Sequence, residues 1–196
     1  MGKNLNEMTL EELWELFPIV LVGHNPSWKE WADSETASLS VLLARFSPTC
    51  SHIGSTAIPA IKAKPIIDIL VEVPTTVNWD NIRTTLENNG YICMSAGERK
   101  MSFNKGYTPA GYAEKVFHIH IRNTGDNDEV YFRDYLNSHP DTAKEYENLK
   151  LSLLPAYTHN RDGYTEAKTE FVKKITEKAR GNQSILGLKP DIEPIS

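Results

Sequence analysis

An acidic residue inside an apolar segment is the first feature of this sequence that could carry chemistry. Asp68 interrupts an otherwise apolar run over residues 66–71, and such a run predicts a strand that is covered on both faces. An ionised carboxylate in a buried strand is costly unless it is paired, hydrogen-bonded or bound to a metal ion. Two interpretations are therefore open for Asp68. It forms an ion pair with Lys64 or another buried basic group, or it is a ligand for a divalent ion.

A His-x-His pair offers the next reactive groups. Residues 116–121 alternate between apolar and other side chains in their second half, which predicts that His118 and His120 lie on one face of a strand. Neutral imidazoles bind Zn, Mn, Fe or Ni ions, and protonated imidazoles bind phosphate. Packing and hydrogen bonding within the sheet is the alternative, unless a third ligand converges on the pair. The candidates for that third ligand are His52 and Asp68.

A Gly-Ser turn precedes the strand that carries the acid. Gly54 would let the backbone approach a ligand closely, and Ser55 would add a hydroxyl donor. If Thr56 begins a helix, the free amide groups and the dipole of that helix favour an anion. The turn therefore predicts a phosphate site.

Two Tyr–Lys pairs and an arginine stand in the last third of the chain. Tyr146 and Lys150, and likewise Tyr164 and Lys168, are four residues apart, which places each pair on one helical face. Together with Arg133 they could direct hydroxyl and cationic groups at a polyphosphate. The alternative is a solvated helix face on which each lysine lies along its tyrosine ring.

The elements that must position these residues follow from periodicity and from turn residues. Five strands are predicted, at residues 50–53, 66–73, 91–94, 100–104 and 115–122, with a loop at 106–111. Helices are predicted to begin at the N-caps Thr9, Asn25, Asp80 and Asp141, and near residues 128 and 165, with the last helix ending at Gly181. This order predicts an α+β fold with a helical C-terminal third. We expect one domain at residues 1–180 and a tail at 181–196.

Composition excludes several classes of protein. The 196 residues carry a net charge of −5, which gives no bulk attraction for nucleic acid or for an anionic membrane. Cys50 and Cys93 are isolated, so a disulfide framework is not expected. The longest apolar run near the N-terminus is far shorter than the roughly 20 residues of a spanning helix. We expect a cytoplasmic protein with a small-molecule partner, and the sequence does not indicate an oligomeric state.

Taken together, these segments resemble the GrpB family, whose members are grouped with the nucleotidyltransferase-like superfamily. The resemblance runs in family order from about residue 18 to residue 180 and covers nearly the whole chain. The matching stretches are Gly23–Trp28, His52–Pro59, Ala63–Ile69, Phe117–His120, Phe132–Leu136, Tyr146–Lys150 and Tyr164–Lys168.

The resemblance implies a small mixed sheet flanked by helices, with the Gly-Ser turn leading into a helix. In that superfamily the turn holds nucleotide phosphates, while two acids at alternate positions of the next strand and a third acid from a neighbouring strand bind Mg²⁺. Gly54 and Ser55 match the turn, and Asp68 matches the first acid. Leu70 occupies the position of the second acid, and the neighbouring strand offers the two histidines in place of an acid.

These matches predict a nucleoside triphosphate and a divalent metal ion, Mg²⁺ or Mn²⁺ foremost and Zn²⁺ as the alternative. The predicted catalytic residues are Asp68 and Ser55, the predicted nucleotide-binding residues are Gly54, Ser55, Thr56, Lys64, Arg133, Lys150 and Lys168, and the predicted metal ligands are Asp68, His118, His120 and His52.

Three functions are open at this point. The protein transfers a nucleotidyl group to an unknown acceptor, or it is an inactive nucleotide or metabolite sensor of the same fold, or it is a metal-dependent hydrolase built on the His and Asp residues.

Overall fold

A five-stranded mixed sheet forms the centre of the protein in the computed structural model, which describes residues 3–186. The strands are β1 (Thr49–Ile53), β2 (Ile67–Val73), β3 (Ile92–Ala96), β4 (Lys100–Thr108) and β5 (Gly111–Asn123). Their order across the sheet is β1-β2-β5-β4-β3. The central pair, β2 and β5, is parallel, and the other neighbours are antiparallel. All five predicted strands are present, with shifted ends.

Helices precede the strands and follow them, and one helix connects β2 to β3. They are α1 (Leu10–Leu16), α2 (Ser27–Leu42), α3 (Trp79–Glu87), α4 (Asp128–Ser138), α5 (Pro140–Tyr157), α6 (Arg161–Glu166) and α7 (Thr169–Leu186). The predicted α+β class, a small mixed sheet flanked by helices with a helical C-terminal third, is confirmed. Among the described helices, none combines the length and the hydropathy of a membrane span.

The larger core lies on one face of the sheet. Alternate residues of the central strands point to this face, including Ile69, Val71 and Ile119, which are fully buried. They pack against Leu39 of α2 and Leu86 of α3 in one cluster. This packing fixes which residues of β2 and β5 point the other way, and those residues include the predicted site.

A second core joins the C-terminal helices to the segment between β1 and β2. Ile58 and Ile61 of that segment pack with Phe132 of α4, Tyr146 of α5 and Ile175 of α7. The C-terminal helices are therefore attached to the crossover that leads into β2. They stand beside the second face of the sheet.

Several predicted boundaries are wrong. Asn78, and not Asp80, caps α3, because its side chain accepts the backbone N–H of Asp80 at 2.9 Å. The helix predicted to have Asp141 as its N-cap has His139 there instead, with Pro140 as its first residue. The helix predicted to start near residue 165 is two helices, and the second does not end at Gly181 but continues to Leu186. The rest of the predicted tail, residues 187–196, lies outside the described residues.

The predicted loop at residues 106–111 is mostly strand. β4 and β5 form a long hairpin whose turn is Pro109-Ala110, and a register shift occurs between Lys105 and Tyr107. Gly106 makes this shift possible. Its φ is +89°, and a Cβ there would lie 2.2 Å from the carbonyl oxygen of Lys115.

Candidate functional site

Asp68 and the two histidines meet on the second face of the sheet. In the parallel register of β2 and β5, Asp68 pairs with His118, which places the three side chains on one face. Asp68 Oδ1 lies 3.3 Å from His118 Nδ1 and 3.1 Å from His120 Nε2. One donor atom from each residue lies within 4.8 Å of the other two. The partners of Asp68 are thus the histidines, and a third ligand does converge on the His-x-His pair.

The electrostatics of this cluster follow from burial and hydrogen bonding. Burial alone would raise the pKa of Asp68, but the hydrogen bonds from His118 and His120 outweigh it and hold that pKa well below its usual range. Burial lowers the pKa of His118, although Asp68 opposes the effect. About a quarter of the Asp68 side chain, 26%, remains exposed. The cluster is therefore an ionised carboxylate between two imidazoles that a ligand can still reach.

Gly54 is required by the close approach of Asp68. Its φ is +72°, and a Cβ built on it would lie 2.4 Å from Asp68 Oδ2 and 3.0 Å from Asp68 Cγ. The glycine thus makes room for the carboxylate, whereas the sequence suggested that it makes room for a ligand.

The segment after Gly54 is a single 3₁₀ turn, Ser55–Ala57, and not the predicted helix. A turn this short has no useful dipole, so the idea of anion binding at a helix N-terminus is wrong here. Thr56 is buried below the turn. Its hydroxyl lies 2.9 Å from His52 Nε2 and donates to the carbonyl of Ile66 at 3.3 Å, so Thr56 does not line the cavity described below.

His52 points away from the metal-ligand candidates. It pairs with Ile69 in the register of β1 and β2, so it shares the core face with Ile69 and not the face of Asp68. Burial lowers its pKa to about 4, with a smaller opposing effect of Asp68. Of the four predicted metal ligands, His52 is therefore wrong. The hydrolase built on all four residues loses this ligand.

A cavity of about 1110 Å³ opens in front of Asp68, His118 and His120. Gly54 and Ser55 line it, and so do several basic side chains, among them Lys64, Lys150, Lys168 and Arg161. The charge of Asp68 acts on Lys64, Lys168 and Arg161, so these groups lie near the carboxylate. The structure thus brings most of the predicted nucleotide-binding residues together with the predicted metal ligands.

Both Tyr–Lys pairs take part in this wall, and in each pair the lysine also lies over its tyrosine. Lys150 Nζ is 4.9 Å from the ring centre of Tyr146, and Lys168 Nζ is 4.4 Å from that of Tyr164. Lys64 Nζ approaches the same Tyr164 ring at 5.6 Å. The two interpretations of these pairs are therefore not exclusive, because the aromatic rings support the lysines at the edge of the cavity.

The lysines are held at lowered pKa values. Burial lowers the pKa of Lys64 to about 7 and that of Lys150 to about 7, and repulsion from Lys168 adds to both effects. Burial lowers the pKa of Lys168 to about 8. A cluster of desolvated cations is unfavourable alone and becomes favourable once an anion enters.

Lys150 also connects three segments of the site. Its Nζ donates to Ser55 Oγ at 3.1 Å and to the carbonyl of Lys62. The carboxylate of Glu147 on the same helix accepts the backbone N–H of Lys62 at 2.7 Å. Helix α5 therefore positions the Gly-Ser turn as well as one of its basic groups.

Arg133 does not reach the cavity. Its Nη1 donates to the carbonyl of His52 at 2.7 Å, and its guanidinium also pairs with Asp134 at 2.7 Å. It thus connects α4 to the end of β1 and is not among the cavity-lining residues.

Tyr107 and Arg161 complete the site, and sequence reasoning missed both. Tyr107 OH lies 2.7 Å from His118 Nε2, and Arg161 Nη2 donates to the same phenol oxygen at 2.9 Å. Burial raises the pKa of Tyr107, so the phenol keeps its proton. Because the oxygen already accepts from Arg161, the phenol hydrogen can point to His118 Nε2, which leaves the imidazole hydrogen at Nδ1 toward Asp68.

A sequence signal existed for only one of these two residues. Arg161 stands three residues before Tyr164 and seven before Lys168, a spacing that extends the predicted helical face by one turn. The position of Tyr107 depends on the register shift at Gly106, which the residue pattern does not reveal.

Comparison with known proteins agrees with the resemblance seen in the sequence. The family model described as GrpB protein matches residues 18–178. The chain belongs to the GrpB family. Glutamate-rich protein GrpB of Alkalihalophilus pseudofirmus is 36% identical, and the match covers 80% of this chain and 93% of that relative.

A solved structure supports the fold of this GrpB-family chain. The crystal structure of conserved protein GrpB from Enterococcus faecalis has 29% identity and a TM-score of 0.72, and the match covers 84% of this chain and 99% of that one. A structure of the Cid1 poly(U) polymerase is far more distant, at 12% identity and a TM-score of 0.48 over 72% of this chain and 44% of that one. A likeness that remote does not bear on activity.

Proposed function

We propose that this GrpB-family protein binds a nucleoside triphosphate together with one divalent metal ion and transfers the nucleotidyl group to an acceptor hydroxyl or phosphate. In that reaction an acceptor oxygen bonds to the α-phosphorus and pyrophosphate leaves. The observation that carries the proposal is the meeting of Asp68, His118 and His120 with the basic side chains in one cavity.

The basic wall supports a polyphosphate ligand. Lys64, Lys150, Lys168 and Arg161 face the cavity in a protein whose net charge is −5. The cavity also has acidic lining residues, but these four cations are close enough to repel one another, and such a cluster favours an anion with several charges. An arriving phosphate would raise the lowered pKa values of the lysines, and their protonation then strengthens binding.

The donor set supports one metal ion of borderline softness. One carboxylate oxygen and two imidazole nitrogens suit Mn²⁺ or Zn²⁺ better than Mg²⁺, which prefers oxygen ligands. Leu70, at the position of the second acid, is fully buried, so a pair of Mg²⁺ ions lacks its bridging carboxylates. A divalent ion bound by these three residues would neutralise charge on phosphate oxygens.

The remaining chemistry falls to the chain's own side chains. Lysine and arginine groups fixed around the cavity can stabilise the negative charge that grows on the leaving pyrophosphate, without reorganisation of solvent. Ser55, held by Lys150, offers its hydroxyl to a phosphate oxygen. Thus the basic groups would replace the second metal ion, and Asp68 and Ser55 keep the catalytic roles that the sequence suggests.

A calorimetric panel tests the proposal. Each common nucleoside triphosphate is titrated into metal-free protein with Mn²⁺, Zn²⁺ or Mg²⁺, and then into Asp68→Asn and Lys168→Met. Both substitutions should weaken binding at least tenfold, while Lys29→Met, whose side chain is 79% exposed, should leave it unchanged. If no triphosphate binds the wild-type protein with any of the ions, the proposal is wrong.

A nucleotide sensor without catalysis is the second candidate, and Leu70 favours it. Because two-metal transfer needs a carboxylate at that position, binding without turnover is its expected behaviour. Release of pyrophosphate from a bound triphosphate in the presence of hydroxyl acceptors separates the candidates.

A cytoplasmic location accompanies either function, since Cys50 and Cys93 are free thiols.

A further inference from the structure

Helix α1 presents an apolar stripe to the cavity. Leu10, Leu13, Trp14 and Phe17 follow the spacing i, i+3, i+4, i+7, and all four line the cavity. Phe17, just after the helix, is buried, but Leu10, Leu13 and Trp14 are not, and half of Leu10 is exposed. An amphipathic helix ordinarily covers such residues with the protein's own core, so the space in front of these three side chains is open to a ligand.

The C-terminal end of α1 is held in place by its neighbours. Ile19 N donates to the carbonyl of Thr158 at 2.8 Å, just after α5. The hydroxyl of Tyr112 on β5 donates to the carbonyl of Phe17 at 3.4 Å. The stripe is thus fixed over the cavity and is not a loose terminal segment.

Aromatic rings connect this apolar end to the metal-ligand candidates. Phe17 lies 4.7 Å from Tyr107 and 4.9 Å from Tyr112, measured between ring centres. Tyr107 in turn is hydrogen-bonded to His118. One continuous cavity therefore has a cationic end near Asp68 and an apolar, partly aromatic end beneath α1.

The volume of the cavity leaves room for more of a ligand than its phosphates. About 1110 Å³ is at or above the roughly 300–1,000 Å³ typical of pockets for small organic ligands. A triphosphate with one ion would occupy only the cationic end. The rest of the ligand must be apolar or aromatic to replace water along the stripe.

We infer that the apolar end binds the base of the nucleotide, with Trp14 as its stacking surface, while the lysines bind the phosphates. This assignment rests on the proposed function for the phosphate end. Trp14 suits the role because it is a large planar ring, only partly buried, on the wall of the cavity. Stacking on a planar ring tolerates any base, so the site would discriminate weakly among bases.

Binding of ATP and of inorganic triphosphate, each with Mn²⁺, separates the two ends of the cavity. Trp14→Ala should weaken ATP binding about tenfold and leave triphosphate binding unchanged. Trp14→Phe keeps an aromatic ring and should recover most of the affinity for ATP. Lys168→Met should weaken both ligands, and Val41→Ala, an exposed apolar position on α2, should weaken neither.

The outcomes decide between this inference and the proposed function. Equal binding of triphosphate and ATP by the wild-type protein, or equal effects of Trp14→Ala on both ligands, overturns the inference and leaves the phosphate site standing. Absence of binding by both ligands overturns the proposed function and the inference with it. If sedimentation shows that Trp14→Ala instead separates a dimer while ATP binding persists, a second copy covers the stripe and the inference is wrong.

Discussion

Contact between Gly54 and Asp68 is the tightest constraint in the site. We expect Gly54→Ala to push the carboxylate away from the histidines, because the added Cβ would lie 2.4 Å from Asp68 Oδ2. Loss of Mn²⁺ binding in calorimetry should accompany a loss of about 1–3 kcal/mol in the free energy of unfolding. Gly90→Ala is the matched control, since Gly90 has a φ of +84° and a Cβ added there would meet nothing within 4 Å. The free energy of unfolding of Gly90→Ala should fall only by what a positive φ costs an alanine, and metal binding should be unchanged.

Tyr107 should act as a positioning residue for His118. Without a metal ion the imidazole hydrogen of His118 lies at Nδ1 toward Asp68. A metal ion bound at Nδ1 would move that hydrogen to Nε2, where the oxygen of Tyr107, at 2.7 Å, would become the acceptor. Tyr107→Phe should therefore lower metal affinity about 10- to 100-fold, with the fold retained. A competition assay with a metal-binding dye measures the change.

Tyr112→Phe is the control for that experiment. Its hydroxyl donates to the carbonyl of Phe17 at 3.4 Å and also interacts with Tyr107, but it bonds to neither His118 nor His120. Metal affinity should therefore fall much less than in Tyr107→Phe. Equal affinities of Tyr107→Phe and the wild-type protein would show that the phenol does not support the imidazole.

Among the elements, α4 holds the edge of the sheet through Arg133. Arg133→Met should lower the free energy of unfolding by about 1–3 kcal/mol, because it removes a charged donor from the carbonyl of His52. Nucleotide and metal affinities should stay at the wild-type level, since Arg133 does not line the cavity. Urea unfolding and calorimetry on the same variant measure the two effects.

Arg45→Met provides the comparison for an exposed arginine. Arg45 donates to the side chain of Thr85 at the surface, and its removal should cost less than about 0.5 kcal/mol. A loss of nucleotide binding in Arg133→Met would restore Arg133 to the ligand site that the sequence suggests.

The sequence predicts features that local pattern controls. The apolar run around Asp68 and the alternation at His118 and His120 each reveal a strand and its face, because side chains alternate along every strand. His52 could not be assigned in this way. Its face depends on pairing with Ile69 of a different strand, and a shift of one residue in register exchanges the two faces.

The same limit explains why Arg161 and Tyr107 were missed as a pair. Their hydrogen bond joins residues 54 positions apart and depends on a glycine-dependent register shift in the hairpin. Helix ends were missed for a local reason. Asn78 and Asp80 are both good capping residues, and only the three-dimensional structure shows which one begins α3.

For the whole molecule, the buried lysines should make stability depend on pH. In the unfolded chain a lysine has a pKa near 10.5, whereas Lys64 and Lys150 fall to about 7 and Lys168 to about 8. Between these values the unfolded chain holds protons that the folded protein lacks, so the free energy of unfolding should rise with pH. The free-energy cost of burying these lysines in their charged form is fully present below about pH 7 and is lost as pH rises toward 10.5.

Urea unfolding of metal-free protein at pH 7, 8 and 9 tests this dependence. Compared with the wild-type protein, Lys168→Met should be more stable at pH 7 and should show a smaller increase with pH. The charges of Asp68, Arg161 and Glu147 also shift the pKa values of these lysines. Lys168→Met is therefore compared with the wild-type protein at each pH, in addition to its own change with pH. Lys29→Met should follow the wild-type curve, and a wild-type curve that falls over this range would contradict the prediction.

The parallel pairing of β2 and β5 determines when the three candidate metal ligands can come together. His120 follows Asp68 by 52 residues, and β3 and β4 are made in between. During synthesis the three donors therefore cannot meet until β5 has left the ribosome and paired with β2. Shorter nascent chains would offer only separate carboxylate and imidazole groups, which bind metal weakly. An ion bound as we propose would therefore mark completion of the sheet, because only a chain whose central strands have paired brings the three donors together.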